Sequence, residues 1–305
     1  MIKFLLTADW HLRGERPRCR MDADWVDSQR QDIRWVVSTA NDFRVPLVLV
    51  GDIFHLPRVA TEVVNMLISE LALAENPVYI LAGNHDLPYH SYDHVEKCSF
   101  GTLRQMPNIV EMGPEFVQGN ICGAPFGLDK PAPTLARFVH RLVFPDDKSR
   151  PMGVECGQIA EELLAEFPEQ TWIFTGDYHH AFHFEQNGRH VVNPGCLNIQ
   201  AADMIGYSPR VALVDLKRES VEWLNIPAAA TITTDQYLVK AAEKEERIEA
   251  FLDAVSTGGA VSLSFADNLA AKIQQAKSDP KISPEILQNA ERAISEIMAE
   301  VKSEK

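Results

Sequence analysis

Apolar residues along this chain change their period several times, and the changes mark out its elements. Lys3 to Ala8 is a short apolar run that reads as a strand; after it Val26, Ile33, Val36, Val37, Ala40 and Phe43 fall on one helical face. Val45 to Val50 is a second continuous run, followed by helical spacing at Val63, Met66, Leu67 and Leu71, and Pro77 to Ala82 reads as a third strand. Apolar strands alternating with amphipathic helices predict a layered α/β domain whose ligand sites lie beyond the carboxyl ends of the strands. From about residue 108 strands dominate: Ile109 to Met112, Val117 to Gly123, Phe138 to Phe144, Trp172 to Thr175, and the pair His183 to Gln186 and His190 to Asn193 around the hairpin signal Asn187-Gly188. One helix, Gly157 to Phe167, interrupts them, and Arg210 to Leu216 and Val221 to Ile226 close the series. Two stacked sheets flanked by helices accommodate this count.

The pattern changes after Ile226. Residues 227–305 are rich in Ala, Glu, Lys and Gln and read as helices: a stripe at Ile248, Phe251, Leu252 and Val255, a second segment capped by Ser264, and a third that starts at Ser283-Pro284. In the last, Leu287, Ala290, Ile294, Ile297 and Val301 follow a 3-4-3-4 spacing, a narrow seam suited either to its own neighbours or to a partner helix. The expected division is therefore 1–226 for the α/β unit and 227–305 for a helical region.

Composition narrows the class. Of 305 residues 46% are hydrophobic, enough for a sizeable core. No apolar run reaches the roughly 18 residues of a membrane span, and the first residues turn polar too soon for a signal peptide, so a cytoplasmic protein is expected. Five scattered cysteines without C-x-x-C spacing support neither a disulfide framework nor a thiolate zinc site. A formal net charge of -14 argues against nucleic-acid binding through overall potential, though not against a local basic channel.

The chemistry gathers where the strands end. The first strand leads to Asp9 and His11, the second to Asp52 and His55, the third to Asn84, His85 and Asp86; the run 138–144 carries His140, and Trp172 to Thr175 leads to Asp177 and His179. Singly, an Asp at a strand end is often a cap or turn former and a lone His in an apolar run is often a core residue. Five such clusters at successive strand ends point to metal binding. Oxygen donors mixed with imidazoles suit Mn²⁺, Fe²⁺ or Zn²⁺. A pair of ions about 3.5–4 Å apart needs a shared anionic ligand, for which Asp52 is the candidate.

"D-x-H" at 9–11, "G-D" at 51–52, "G-N-H-D" at 83–86, the lone His140, and "G-x-x-H" at 176–179 followed by "N-P-G" at 193–195 resemble the calcineurin-like metallophosphoesterases. Within these, "GDIFH" and the Arg-containing segment after "D-x-H-L" are similar to the SbcD-type DNA repair nucleases. The resemblance implies a four-layer α-β-β-α sandwich over residues 1–226 and a centre of two divalent ions, Mn²⁺ foremost and Mg²⁺ next. It assigns Asp9, His11 and His179 to one ion, Asn84, His140 and Asp177 to the other, and Asp52 to both. It makes His85 the group that assists the leaving oxygen, places His55 near the substrate or in support of His85, and leaves Asp86 to orient His85. It further implies a metal-dependent DNA exonuclease or endonuclease that acts in end processing, forms a homodimer, and docks an SbcC-like coiled-coil ATPase through the C-terminal helices. A small-nucleotide phosphodiesterase or phosphoprotein phosphatase and a catalytically weak metal-binding scaffold are the alternatives.

Two features need separate weighing. The family usually has His where this chain has Asp177; a carboxylate there would add negative charge at the second ion and favour harder metals, while His180 could instead supply the missing imidazole. Arg13, Arg16, Arg18 and Arg20, in the loop after His11, form the densest basic cluster of an acidic chain. They are expected either to contact DNA phosphates or to be a solvated loop.

Overall fold

A computed structural model describes residues 2–128, 133–151, 156–227 and 233–235. The chain divides into two units, Met1–Tyr237 and Leu238–Lys305. The expected helices between residues 248 and 301, with the Leu287 to Val301 seam, fall outside the described residues.

The described residues form fourteen strands: β1 Lys3–Thr7, β2 Leu47–Val50, β3 Val78–Leu81, β4 Ile109–Glu111, β5 Phe116–Gln118, β6 Ile121–Ala124, β7 Ala136–His140, β8 Val143–Phe144, β9 Gln158–Ile159, β10 Trp172–Gly176, β11 Phe182–Gln186, β12 Arg189–Asn193, β13 Arg210–Asp215 and β14 Ser220–Asn225. The same residues form four α-helices: α1 Trp25–Phe43, α2 Thr61–Leu71, α3 Ser99–Leu103 and α4 Ala160–Glu166. One six-stranded sheet runs β14-β13-β1-β2-β3-β4 and the other β11-β12-β10-β7-β6-β5, with β8 and β9 paired separately. In each large sheet four parallel strands form the body: β1, β2, β3 and β4 in one, β6, β7, β10 and β12 in the other. Antiparallel strands extend them, β13 and β14 in the first and β5 and β11 in the second.

Period-2 alternation explains why the central strands are apolar throughout. On β1, β2 and β3, Leu5, Leu47, Leu49, Val78 and Ile80 face a core shared with α1, α2 and α3. Phe4, Leu6, Val48, Val50, Tyr79 and Leu81 point the other way, into a core shared with Phe138, Trp172, Phe174 and Val192 of the second sheet. Behind that sheet Val139, Ile173 and Val191 pack on Leu163 and Leu164 of α4. The layers are therefore helix, sheet, sheet, helix. Phe4 meets Phe138 and Phe174 edge-on at 5.5 and 5.2 Å, and Phe138 stacks on Phe174 at 4.9 Å, so an aromatic cluster ties the two sheets together.

Three elements differ from the sequence reading. The run 138–144 is two strands, since β7 ends at His140 and β8 begins at Val143. Val117 to Gly123 is likewise an antiparallel hairpin, turning at Gly119 with φ 61°. The expected helix at 157–167 begins with β9 and becomes helical only at Ala160. At the predicted hairpin Asn187 and Gly188 both have positive φ, as the tight turn requires.

Candidate metal centre

The site is built at the ends of parallel strands, where the chain turns sharply. Asp9, His11, Asp52 and Asp177 all adopt left-handed backbone, with φ of 51, 46, 48 and 79°. Such conformations cost on the order of 1–3 kcal/mol each for non-glycine residues and persist where the surroundings fix them. Here the main chain does so: Asp9 N–H donates to Gly51 O at 3.1 Å, His11 N–H to Asp52 O at 2.9 Å, and Asp177 N–H to both carboxylate oxygens of Asp9 at 3.0 Å. Close approach also demands glycine. A Cβ on Gly51 would lie 2.1 Å from His140 Nδ1, and one on Gly83 2.1 Å from Asp52 Oδ1.

Around these turns three groups of candidate ligands converge: Asp9, His11 and His179; Asp9, Asp52 and His140; and His11, His55 and His85. His11 Nε2 lies 3.0 Å from His179 Nε2 and 3.7 Å from Asp52 Oδ2. His140 Nε2 lies 3.3 Å from Asp52 Oδ2 and 3.1 Å from the side-chain oxygen of Asn84. Asp9, His11, Asp52 and His140 are buried, while Asn84, His85 and His179 are partly exposed and leave the centre open on one side.

The donor chemistry fits divalent cations. His140 Nδ1 is 2.9 Å from Val50 O and must donate its proton there, so in the neutral ring Nε2 presents a lone pair toward Asn84 Oδ1 and Asp52 Oδ2. Asp52 Oδ2 is buried without a hydrogen bond, although His11 and His140 flank it. Acceptors facing acceptors in a buried site call for a positive charge between them. The titration behaviour agrees. Burial pushes the Asp9 carboxyl well up, with His140 opposing and Asp52 and Asp177 adding to the rise. Burial alone would lower His140, yet Asp52 and Asp9 outweigh it and raise that imidazole well above its ordinary range, so that a proton on Nε2 supplies the positive charge between these acceptors when no cation does. Asp9 and Asp52, with Asn84, His11, His140 and His179, are the donors suited to ions of the Mn²⁺ or Zn²⁺ type.

Beside this set, His85 Nδ1 contacts His55 O at 2.8 Å, which orients the ring and leaves Nε2 free. The His85 main-chain N–H donates to Asp52 Oδ1 at 2.9 Å. His55 in turn accepts from Arg13 through Nε2 at 2.9 Å, and burial together with the Arg13 charge pulls its pKa down to about 4. Arg13 also donates to Gln200 Oε1 at 2.8 Å.

Asp86 requires a correction. It does not orient His85: its oxygens accept the main-chain N–H groups of Ile53, Phe54 and Gly83 at 3.2, 2.8 and 2.9 Å. A fully buried carboxylate with these partners fixes the loop that carries Asp52, and the His55 carbonyl does the orienting.

Arg20 is the second correction. It is buried in a two-point pair with Asp22 at 2.7 and 2.8 Å and lies over the Trp25 ring, so it is not presented to a phosphate. Arg16 and Arg18 are exposed, although Arg16 also donates to Asp22 O at 2.6 Å. Asp177 meets Asp9 through its main chain, and its carboxylate belongs to none of the three convergent groups found among the described residues. His180 packs against Tyr207 at 4.9 Å rather than joining them. His190, on the hairpin strand β12, is buried and stacks on Trp172 at 3.8 Å.

Sequence reasoning missed the groups that act through the main chain: Val50 O on His140, His55 O on His85, and Leu197 N–H on Asp9 O at 3.3 Å. Carbonyls leave no signal in a side-chain pattern. The glycines at 51 and 83 were the legible hint.

Residues 2–120 match the model of the calcineurin-like phosphoesterase family. No curated protein matches the chain. Among solved structures, similarity is found to one described as a novel archaeal phosphodiesterase, at 13% identity, covering 73% of this chain and 99% of the other with a TM-score of 0.40. A dimetal phosphatase from Danio rerio is similar at 13% identity, with 76% and 98% covered and a TM-score of 0.43. A hypothetical protein from Pyrococcus horikoshii is similar at 14% identity, with 81% and 94% covered and a TM-score of 0.44. Similarity this loose is silent on substrate.

Proposed function

We propose that this chain, whose residues 2–120 match the calcineurin-like phosphoesterase family, is a dinuclear metal-dependent nuclease hydrolysing DNA phosphodiester bonds. The observation that carries the hydrolytic reading is the convergence of Asp9, Asp52, Asn84, His11, His140 and His179 around unpaired acceptor atoms. Two divalent ions, one held by Asp9, His11 and His179 and one by Asn84 and His140, with Asp52 between, would neutralise a phosphodiester and acidify the attacking water.

The protein's own residues then divide the work. His85, held by the His55 carbonyl, keeps Nε2 free to deliver a proton to the departing oxygen. His55 stays neutral beside Arg13, so the guanidinium brings a positive charge to the rim. Exposed Arg16 and Arg18 follow in the same loop. Cationic side chains in the segment next to His11, on an acidic molecule, support an anionic substrate such as DNA over a neutral one.

The test is to incubate the purified protein and its His85→Asn variant with Mn²⁺ and labelled linear duplex, single-stranded DNA or bis-p-nitrophenyl phosphate. The wild type is expected to cleave DNA and the diester, and His85→Asn to lose roughly 10²–10⁴-fold on DNA. Cleavage of the small diester alone would replace the nuclease by a small-substrate phosphodiesterase.

A further inference from the structure

Next to the metal centre lies a second cavity, of about 540 Å³, lined by Leu56, Arg58, Pro88, Tyr89, His94 and Lys97 among others. This volume is in the range of small-ligand sites, about 300–1,000 Å³. It is joined to the catalytic residues through the chain itself: Leu56 follows His55, and Pro88 and Tyr89 follow the segment Asn84 to Asp86. The metal ligands do not line it.

Its makeup is unusual for solvent-facing surface. The Tyr89 ring is 90% exposed, and Leu56 is 52% exposed. Tyr89 and His90 have φ of 56 and 55°, two successive left-handed residues without a glycine. That strain is held by short contacts: His90 Nδ1 lies 3.0 Å from Asn84 O, and Ser91 N–H donates to Pro88 O at 3.1 Å. The facing wall is also fixed, since Arg58 Nε donates to Lys97 O at 2.9 Å and Ser99 N–H to Pro57 O at 2.7 Å. A rigid loop thus projects an aromatic face into water beside Arg58, Lys97 and His94. Among the described residues, none that lines the cavity is acidic, in a chain of net charge -14.

We infer that this cavity binds the nucleotide next to the scissile phosphate: Tyr89 stacks on its base while Arg58 and Lys97 hold the neighbouring backbone phosphate. An aromatic plane paired with cations is how proteins take unpaired bases without reading sequence, and a pre-ordered ring loses little entropy on stacking. The occupant is therefore a single strand or a frayed end rather than an intact duplex. This reading rests on the nuclease assignment above, yet its binding test stands apart from cleavage.

Full-length wild type, Tyr89→Ala, Tyr89→Phe and Arg58→Ala/Lys97→Ala are titrated into a single-stranded oligonucleotide containing 2-aminopurine, and their hydrolysis of that strand and of bis-p-nitrophenyl phosphate is measured with Mn²⁺. Stacking should quench the 2-aminopurine emission when wild type or Tyr89→Phe is added. Tyr89→Ala should lose the quench and raise KM for the strand on the order of 10–100-fold, with kcat/KM on the base-free diester unchanged. The double variant should weaken binding and flatten its salt dependence. Strand cleavage with Tyr89→Ala behaving as wild type overturns the cavity and keeps the nuclease. Quenching lost in Tyr89→Ala, without strand cleavage by the wild type, supports the cavity and removes the nuclease. Displacement of the strand by polyglutamate as effectively as by unlabelled DNA overturns base recognition.

Discussion

Asp32 lies inside the protein on α1, with both carboxylate oxygens buried and the Asn198 side chain beside them. Burial raises its pKa from 3.8 to about 7; Arg20 opposes the rise, and Asp22 adds to it. Because the folded pKa exceeds the unfolded one, the folded state holds the proton more tightly. Stability should therefore be greatest at low pH on this account and fall as pH rises from about 4 to about 7. The loss is on the order of a few kcal/mol at about 1.4 kcal/mol per unit. Asp32→Asn should gain more over wild type at pH 8 than at pH 5, as read by urea midpoints. An equal difference at both pH values would show that the carboxylate is not the source. Arg20, nearby, shows what the sequence could not tell at this scale. The run Arg13 to Arg20 looks like one basic cluster, but Asp22 and Trp25 remove Arg20 from it and His55 and Gln200 engage Arg13.

Elements were more legible than residues, because strand and helix periods are local. The alternating faces of β1, β2, β3, β7 and β10, and the placement of Asp9, Asp52, Asn84 and His179 just past strand ends, follow from apolar runs and what terminates them. Asp86 was misread since its partners are main-chain N–H groups, two of them more than thirty positions away in sequence. The β11–β12 hairpin shows the same limit. Its turn was plain at Asn187-Gly188, but His190 is inward because β12 pairs with β10 and lays that ring on Trp172. His190 Nδ1 lies 3.0 Å from His183 Nε2, which needs one ring to donate and the other to accept. Burial lowers the pKa of both, His190 adding to the shift at His183, while Glu185 faces both and opposes it and Glu219 opposes it at His190. Folded values below the unfolded 6.5 mean that this contribution is complete above that pH and is lost as pH falls below it. Imidazole proton NMR should show both rings titrating below free histidine, and His190→Phe, which keeps the stack, should remove that part of the acid sensitivity in thermal melts. Ordinary titration at either ring would contradict the pairing.

At the scale of the molecule, the candidate ligands come from both sheets. Asp9, His11, Asp52 and Asn84 follow strands of the first, while His140 ends β7 and His179 follows β10 in the second. The aromatic cluster of Phe4, Phe138 and Phe174 brings the sheets together from within. At their carboxyl ends the two layers instead present buried carboxylates and imidazole lone pairs to one another. Without a cation those groups oppose close packing; with one they become a clamp between the sheets. A ligand that binds only the folded state stabilises it by about 2.7 kcal/mol at a concentration 100 times its Kd. For a unit of this size each kcal/mol moves Tm by roughly 2–4 °C. Saturating Mn²⁺ should therefore raise the melting temperature of EDTA-treated protein by about 5–10 °C. His140→Ala should lose most of that increment, because it removes the second sheet's contribution at the Asp52 side. Arg18→Ala, on the exposed loop, should keep it. A metal-independent Tm in the wild type, with no ion bound by equilibrium dialysis, would show that the two layers close over these groups without a cation and would remove the basis of the hydrolytic reading.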